Sequence, residues 1–265
     1  MEALADSKER CEQIVFDRPD ALTSRGYTYC PGCGHGTIHR LVAELIDEFG
    51  LKDRTVGMAS VGCSVFSYWF FDCDFISCAH GRAMANATGV KRAHPDAFVF
   101  TYQGDGDLAS IGMAETIHAA NRGELITVIF VNNAIYGMTG GQMAPTTLEN
   151  MVTTTSPLGR DPLLVGHPIR VVEMLSLLEG VAFAARASVS SAKNTLKAKA
   201  LMKKAFRAQL EKKGFGIIEI LSNCNTNWNK SPIEANEWID AEMVKVFPLG
   251  VYKDVFAGEK GKKDE

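Results

Sequence analysis

Phe98-Val99-Phe100-Thr101-Tyr102-Gln103-Gly104-Asp105-Gly106-Asp107 is an apolar, aromatic run of strand length that ends in an acidic glycine turn. The residues after it, 107–122, have helical character until Gly123 stops them. A second apolar run follows, Leu125-Ile126-Thr127-Val128-Ile129-Phe130-Val131, and closes on Asn132-Asn133. Both polar clusters therefore fall at the carboxyl ends of neighbouring parallel strands, the edge at which an open α/β sheet binds its ligands.

The residue types at that edge define the ligand. Gly104 and Gly106 let backbone N–H groups approach phosphate oxygens, and the helix that follows presents its positive end to the same anion. Asp105 offers an anionic oxygen, and Asn133, 28 positions later, an amide oxygen. With a nearby backbone carbonyl and phosphate oxygens, such a set suits Mg²⁺. An Asp in a glycine turn more often only caps a helix or reverses the chain. Paired strands, spacing and Asn-Asn together point to a metal-bound diphosphate.

The chain has seven cysteines. Cys30 and Cys33 form a Cys-x-x-Cys pair ahead of a helical segment at 37–49, and Cys63 and Cys224 each follow a strand-like run, so all four can converge at strand ends. Four thiolates suit a [4Fe-4S] cluster or a Zn²⁺ ion, and a redox or structural pair is a third reading. Cys11, Cys73 and Cys78 read as small hydrophobes without chemistry.

Alternating signals predict an α/β fold with a mostly parallel sheet and helices on both faces. Strands are expected at 55–60, 75–77, 98–102, 125–131, 181–186 and 216–221, and helices at 37–49, 81–94, 108–121, 171–178 and 192–212. The Thr-, Pro- and Gly-rich stretch 140–168 reads as a long irregular loop that covers the site or contacts a partner, and 258–265 as a flexible charged tail. The expected organisation is an amino-terminal extension (1–26), a cofactor-binding α/β domain (27–222) and a carboxy-terminal segment (223–265). At 265 residues, 46% hydrophobic content and net charge −3, the composition is that of a globular protein with no sign of nucleic-acid binding. No signal-type apolar core precedes Tyr27 and no apolar run approaches membrane-spanning length, so a reducing cytoplasm is expected, with no membrane partner.

From about residue 27 to 254 the chain resembles the β subunit of 2-oxoacid:ferredoxin oxidoreductases. The resemblance rests on Cys30-Pro31-Gly32-Cys33-Gly34-His35-Gly36, Val61-Gly62-Cys63-Ser64, His80-Gly81-Arg82-Ala83, Gly104-Asp105-Gly106-Asp107, Asn132-Asn133, Ile135-Tyr136-Gly137-Met138-Thr139-Gly140-Gly141-Gln142, Pro145-Thr146-Thr147 and Ser222-Asn223-Cys224-Asn225-Thr226-Asn227-Trp228. It implies a thiamine diphosphate-binding fold, with Mg²⁺ on Asp105, Asn133 and the carbonyl of Ile135. It implies Gly106 and Asp107 at the diphosphate, His35, Gly62, Cys63 and Ser64 along the cofactor, and Tyr136, Gly137, Met138 and Thr139 beside its diphosphate and reacting end. It shifts the cysteine reading to a [4Fe-4S] cluster on Cys30, Cys33, Cys63 and Cys224. Some broad-specificity members carry Lys where this chain has Gly140, so a cation reading the substrate there is missing.

The activity implied is oxidative decarboxylation of a 2-oxoacid with coenzyme A to acyl-CoA, CO₂ and reduced ferredoxin. The carboxylate that activates thiamine comes in this family from an α subunit, so this chain is expected to work only in a hetero-oligomer, joined in some members by γ and ferredoxin-like δ chains. Residues 136–142 look most like members acting on 2-oxoglutarate or on branched-chain acids such as ketoisovalerate. Two other readings explain one motif each: a non-redox thiamine decarboxylase or synthase, and a zinc-stabilised non-catalytic subunit. His35 contacts cofactor or merely caps the next helix, and His80 and Arg82 reach a phosphate or carboxylate or form a structural ion pair. His39, His94, His118 and His167 have no inferable partner and read as surface or satisfied residues. The Lys-rich stretch 193–213 is a solvated helix face or a dock for an acidic protein.

Overall fold

The computed structural model describes residues 17–257; the expectations for 1–16, Cys11 among them, and for 258–265 lie outside the described residues. In chain order the strands are β1 (Thr55–Ala59), β2 (Asp74–Ser77), β3 (Phe98–Gly104), β4 (Thr127–Asn132), β5 (Ile135–Tyr136), β6 (Gln142–Met143), β7 (Val181–Ser188), β8 (Phe215–Leu221) and β9 (Gly250–Asp254). The helices are α1 (His35–Glu48), α2 (Ser67–Phe70), α3 (Ala83–Ala93), α4 (Met113–Asn121), α5 (Pro162–Val165), α6 (Val171–Ser176), α7 (Ala192–Leu210), α8 (Pro232–Trp238) and α9 (Val244–Val246).

Seven strands form one sheet in the order β2-β1-β3-β4-β8-β7-β9. All neighbours are parallel except β9, which runs antiparallel to β7. β3 and β4 are buried on both faces and supply two cores by alternation. Phe98, Phe100, Tyr102, Ile129 and Val131 pack towards α1 and α7, while Val99, Val128 and Phe130 pack towards α3, α4 and α6. The expected doubly covered parallel sheet is what forms. Gln209, buried on α7, clamps two of its strands: its amide oxygen accepts from the Val99 N–H (2.7 Å), and its amide nitrogen donates to the Val99 carbonyl and the Thr127 hydroxyl.

Several local outcomes refine the sequence reading. The helix expected at 108–121 begins as a π-helical turn, Asp107–Ile111, before α4; such turns concentrate at functional sites. The stretch 140–168 is irregular but tied down. Buried Arg160 donates to the carbonyls of Ala144, Pro145, Thr147, Gly166 and His167, at 2.8–3.2 Å. α8 was missed although its start is written in the sequence: Ser231 and Glu234 form a reciprocal capping box with Pro232 at the first helical position. β9 was missed because it is an edge strand without the continuous apolar run that marks its neighbours. Among the described residues no helix is long and apolar enough to cross a membrane.

Candidate cofactor and cysteine site

A cavity of about 220 Å³ opens beyond the carboxyl ends of β1, β3 and β4. Every cofactor position singled out in the sequence lines it: His35, Gly62, Cys63, Ser64, Gly104, Asp105, Gly106, Asp107, Asn133, Ile135, Tyr136, Gly137, Met138 and Thr139. Val61, His80, Ser110, Ile111 and Val131 complete the wall. The sheet order explains the convergence: the polar turns after three neighbouring parallel strands must meet at one edge.

Asp105 is buried at the centre of this edge. One oxygen accepts from the Thr146 hydroxyl (2.8 Å), the other from the Gly106 N–H (3.0 Å), and burial pushes its pKa up to about 7. These contacts are with neutral donors, so a divalent cation would relieve the desolvated carboxylate. Gly106 must lack a side chain because a Cβ there would sit 2.8 Å from the Tyr136 ring.

The Asn132-Asn133 turn is held by Ala134, whose φ of 58° is the left-handed conformation that non-glycine residues rarely adopt. Three contacts enforce it. The Ala134 N–H donates to the Asn132 side chain (3.0 Å), the Thr147 hydroxyl donates to the Ala134 carbonyl (2.6 Å), and the Asn133 amide oxygen accepts from the Ile135 N–H (3.3 Å). Carboxylate, amide and carbonyl oxygens at the mouth of a glycine-lined cavity form a hard donor set that fits Mg²⁺ with a diphosphate.

Asp107 lines the same cavity, but its carboxylate is engaged by the protein. It meets His80 Nδ1 at 2.8 Å and accepts from the Gly81 N–H and the Gln103 amide, each at 2.7 Å. Arg82 is ion-paired with Glu115, as its structural reading expected. His35 bonds through Nδ1 to the Tyr102 hydroxyl (2.8 Å), stacks on Tyr29 and is kept neutral by burial, which lowers its pKa to about 4. His39 is fully buried, with the Tyr29 hydroxyl 2.7 Å from Nε2 and aromatic rings around it. His94 and His118 are exposed, and His167 pairs with Glu149. Of the Lys-rich face, Lys199 and Lys203 pair with acids of α1 and Lys204 with Asp254 of β9.

Cys30, Cys33, Cys63 and Cys224 line a second cavity of about 210 Å³. It shares His35, Cys63, Asn133, Gly137 and Met138 with the first. Gly137 is the thinnest point of the partition: a Cβ there would lie 3.3 Å from the Cys224 sulfur and 3.5 Å from the Cys63 sulfur. Among the described residues no three His, Cys, Asp or Glu side chains gather closely enough to hold a single metal ion. The four thiols line one shared cavity, a set of sulfur donors of the kind that holds a [4Fe-4S] cluster or a zinc ion. Burial raises the Cys33 thiol to about 11 and the Cys63 thiol to about 12. Cys78 packs in one core and Cys73 against the other.

Three asparagines around Cys224 hold this cavity, and the sequence reading gave them no role. Asn223 accepts from the Gly34 N–H (3.1 Å) and donates to the Gly32 carbonyl (3.0 Å), and Asn225 donates to the Pro31 carbonyl (3.2 Å). Asn227 donates to the Gly137 carbonyl (2.9 Å) and lies 3.2 Å from the Cys224 sulfur. The available signal was Asn at every second position around a cysteine. Asn223→Ala is expected to lower metal retention at the four-cysteine cavity by about 10–100-fold, the usual cost of losing an outer-shell partner, and to lower the melting temperature as well, because it leaves the groups this buried side chain bonds without a partner. Metal analysis beside thermal denaturation checks this; full metal content in the variant would refute it.

Residues 57–220 match the family of thiamine pyrophosphate enzymes through its C-terminal TPP-binding domain. The ketoisovalerate oxidoreductase subunit VorA of Methanothermobacter thermautotrophicus is 48% identical over 240 residues, covering 91% of this chain and 50% of that protein. The 2-oxoglutarate synthase subunit KorB of Methanocaldococcus jannaschii is 35% identical over 233 residues, covering 88% and 80%. A solved structure of 2-oxoglutarate:ferredoxin oxidoreductase from Magnetococcus marinus, with 2-oxoglutarate, coenzyme A and succinyl-CoA bound, superposes with a TM-score of 0.74 at 27% identity, covering 92% of this chain and 87% of that one. The chain thus spans about half the length of the ketoisovalerate oxidoreductase subunits it matches.

Proposed function

Because the chain belongs to the thiamine pyrophosphate enzymes, and among them to the 2-oxoacid oxidoreductase subunits, we propose that it is the cofactor-holding β subunit of a 2-oxoacid:ferredoxin oxidoreductase. The reaction is conversion of a 2-oxoacid and coenzyme A to acyl-CoA and CO₂, with two electrons delivered singly to ferredoxin. Bound thiamine diphosphate supplies the electron sink for loss of CO₂, while the protein supplies position and electrostatics.

In this reading Asp105, Asn133 and the Ile135 carbonyl hold Mg²⁺, and the backbone of Gly104, Gly106 and Gly62 to Ser64 cradles the diphosphate. Neutral His35 offers a fixed hydrogen-bonding edge. Cys30, Cys33, Cys63 and Cys224 hold a [4Fe-4S] cluster. The observation that carries the proposal is the shared partition at Cys63 and Gly137, which puts the seat of carbon chemistry one residue's thickness from the seat of electron storage. An α subunit supplies the activating carboxylate, and the free thiols suit a cytoplasmic setting.

A branched-chain 2-oxoacid is the favoured substrate. Neither Lys nor Arg lines the cofactor cavity, whereas Ile111 and Met138, each about half exposed, stand at it. A second carboxylate, as in 2-oxoglutarate, would find neither Lys nor Arg in this lining among the described residues, and an isopropyl group would find apolar surface.

The test is anaerobic co-purification with the partner subunits, iron analysis, and dye reduction driven by 2-oxoisovalerate or 2-oxoglutarate with coenzyme A. The expectation is about four irons per chain, as a [4Fe-4S] site requires, and a higher kcat/KM for 2-oxoisovalerate. In Cys63→Ala, iron and dye reduction should fall together. Full iron content and activity in that variant would withdraw the shared-wall mechanism.

A further inference from the structure

Just outside the four-cysteine cavity lies a surface that the reaction does not use. Phe66 lines the cavity and stacks on Trp69 (centroids 4.8 Å apart), Tyr68 meets Trp69 edge-on, and the Arg25 guanidinium sits 4.1 Å above the Trp69 ring. Tyr27 and Tyr68 are 42% and 40% exposed, and Cys30 is exposed beside them. Trp, Tyr and Arg are the residues that anchor protein interfaces.

The same face carries positive charge. A groove of about 690 Å³ runs alongside and includes Cys33 in its lining together with Arg18, Arg25, Arg40 and Lys199. Arg40 and Lys199 share Glu44, the single carboxylate in that lining among the described residues. Arg18 and Arg25 have no carboxylate partner among the described residues. The cations are spread along an open groove and one lies flat on an aromatic ring, which suits a broad acidic surface better than a phosphate needing convergent donors.

We propose that this face, built around Arg25, Trp69 and Arg18, docks an acidic one-electron carrier protein against the Cys30 edge of the four-cysteine cavity. The proposal rests on the cluster reading given above. The step changes no covalent bond: the reduced cluster loses one electron and the oxidised carrier gains it, so two dockings complete one turnover. Small, charge-steered contacts of this kind are typical of electron-transfer partners.

The experiment uses the assembled holoenzyme with an acidic ferredoxin as probe, and compares wild type with Arg18→Glu/Arg25→Glu and Trp69→Ala. Both variants should raise the KM for ferredoxin by about tenfold or more, each tenfold being about 1.4 kcal/mol. Iron content and the rate with methyl viologen should stay at wild-type values, and the charge-reversal variant should lose the salt dependence of ferredoxin reduction. An unchanged KM for ferredoxin overturns the proposal, as does a rise in the KM for coenzyme A in its place, which would mark an anion subsite. Wild-type enzyme without iron would sink the cluster reading and this inference with it. Iron and viologen activity at normal levels with unaltered ferredoxin kinetics would sink the docking face alone.

Discussion

Asp105→Ala should abolish Mg²⁺-dependent thiamine diphosphate binding in the assembled enzyme. Loss of an outer-shell partner costs about 10–100-fold in metal affinity, so loss of a direct carboxylate ligand should cost more than about a hundredfold. Calorimetric titration with cofactor and Mg²⁺ measures it, and near-normal affinity would remove Asp105 from the metal. The same residue has a thermodynamic signature without cofactor. Its pKa is raised by burial from 3.8 to about 7, so the folded chain holds that proton more tightly than the unfolded chain. The penalty for ionising it is absent below about pH 3.8, grows between the two values and is complete above about pH 7, where it reaches on the order of 4 kcal/mol at most. Cofactor-free Asp105→Asn should therefore melt above cofactor-free wild type at pH 8, and the difference should shrink towards pH 4. A variant less stable than wild type at pH 8 would contradict the assignment of desolvation as the cause.

The largest stability loss is expected at Arg186. This fully buried guanidinium on β7 stands in register with Glu219 on β8 and meets it at 2.9 Å. It also pairs with Glu173 of α6 and donates to the Pro248 carbonyl and the Tyr252 hydroxyl. The two carboxylates hold it charged despite burial. Arg186→Met leaves Glu219 buried and uncompensated, which should cost about 3–5 kcal/mol. Arg186→Met/Glu219→Leu should recover much of that, because apolar pairs of similar volume often replace buried ion pairs at little cost. Denaturant unfolding of the two variants decides this; a single variant no worse than the double would show that Glu219 needs no counter-charge. The effect should reach the site as well. Glu219 accepts from the Asn132 side chain at 2.7 Å, and Asn132 in turn holds the Ala134 turn that aims Asn133 and Ile135.

How far the sequence could be read follows from where each signal lies. β3 and β4 announce themselves by continuous apolar runs, and Asp105 and Asn133 by falling just after them, so the residues that line the cavity were legible without coordinates. The cysteines were legible as a set, but their partition at Gly137 was not, since it depends on Gly137 meeting Cys63 and Cys224, which lie 74 and 87 residues away in the chain. Arg186 and Glu219 sat inside strands read correctly as buried, yet only the β7–β8 register pairs them. Asn223 and Asn225 were quoted within a motif and given no part, because their partners at Gly32, Gly34 and Pro31 lie almost the whole chain away. Local pattern reveals elements and turn chemistry; contacts across the sheet edge have no period to read.

The common wall has a consequence for the lifetime of the protein. Five residues belong to both cavities, so in the proposed assignment the two occupants would lean on the same side chains. If the cluster is seated as proposed, oxygen that strips it should then also loosen the organic cofactor, although no atom of the latter has been touched. Such a subunit would age as a single unit, passing from fully equipped to fully bare without a long-lived half-loaded form.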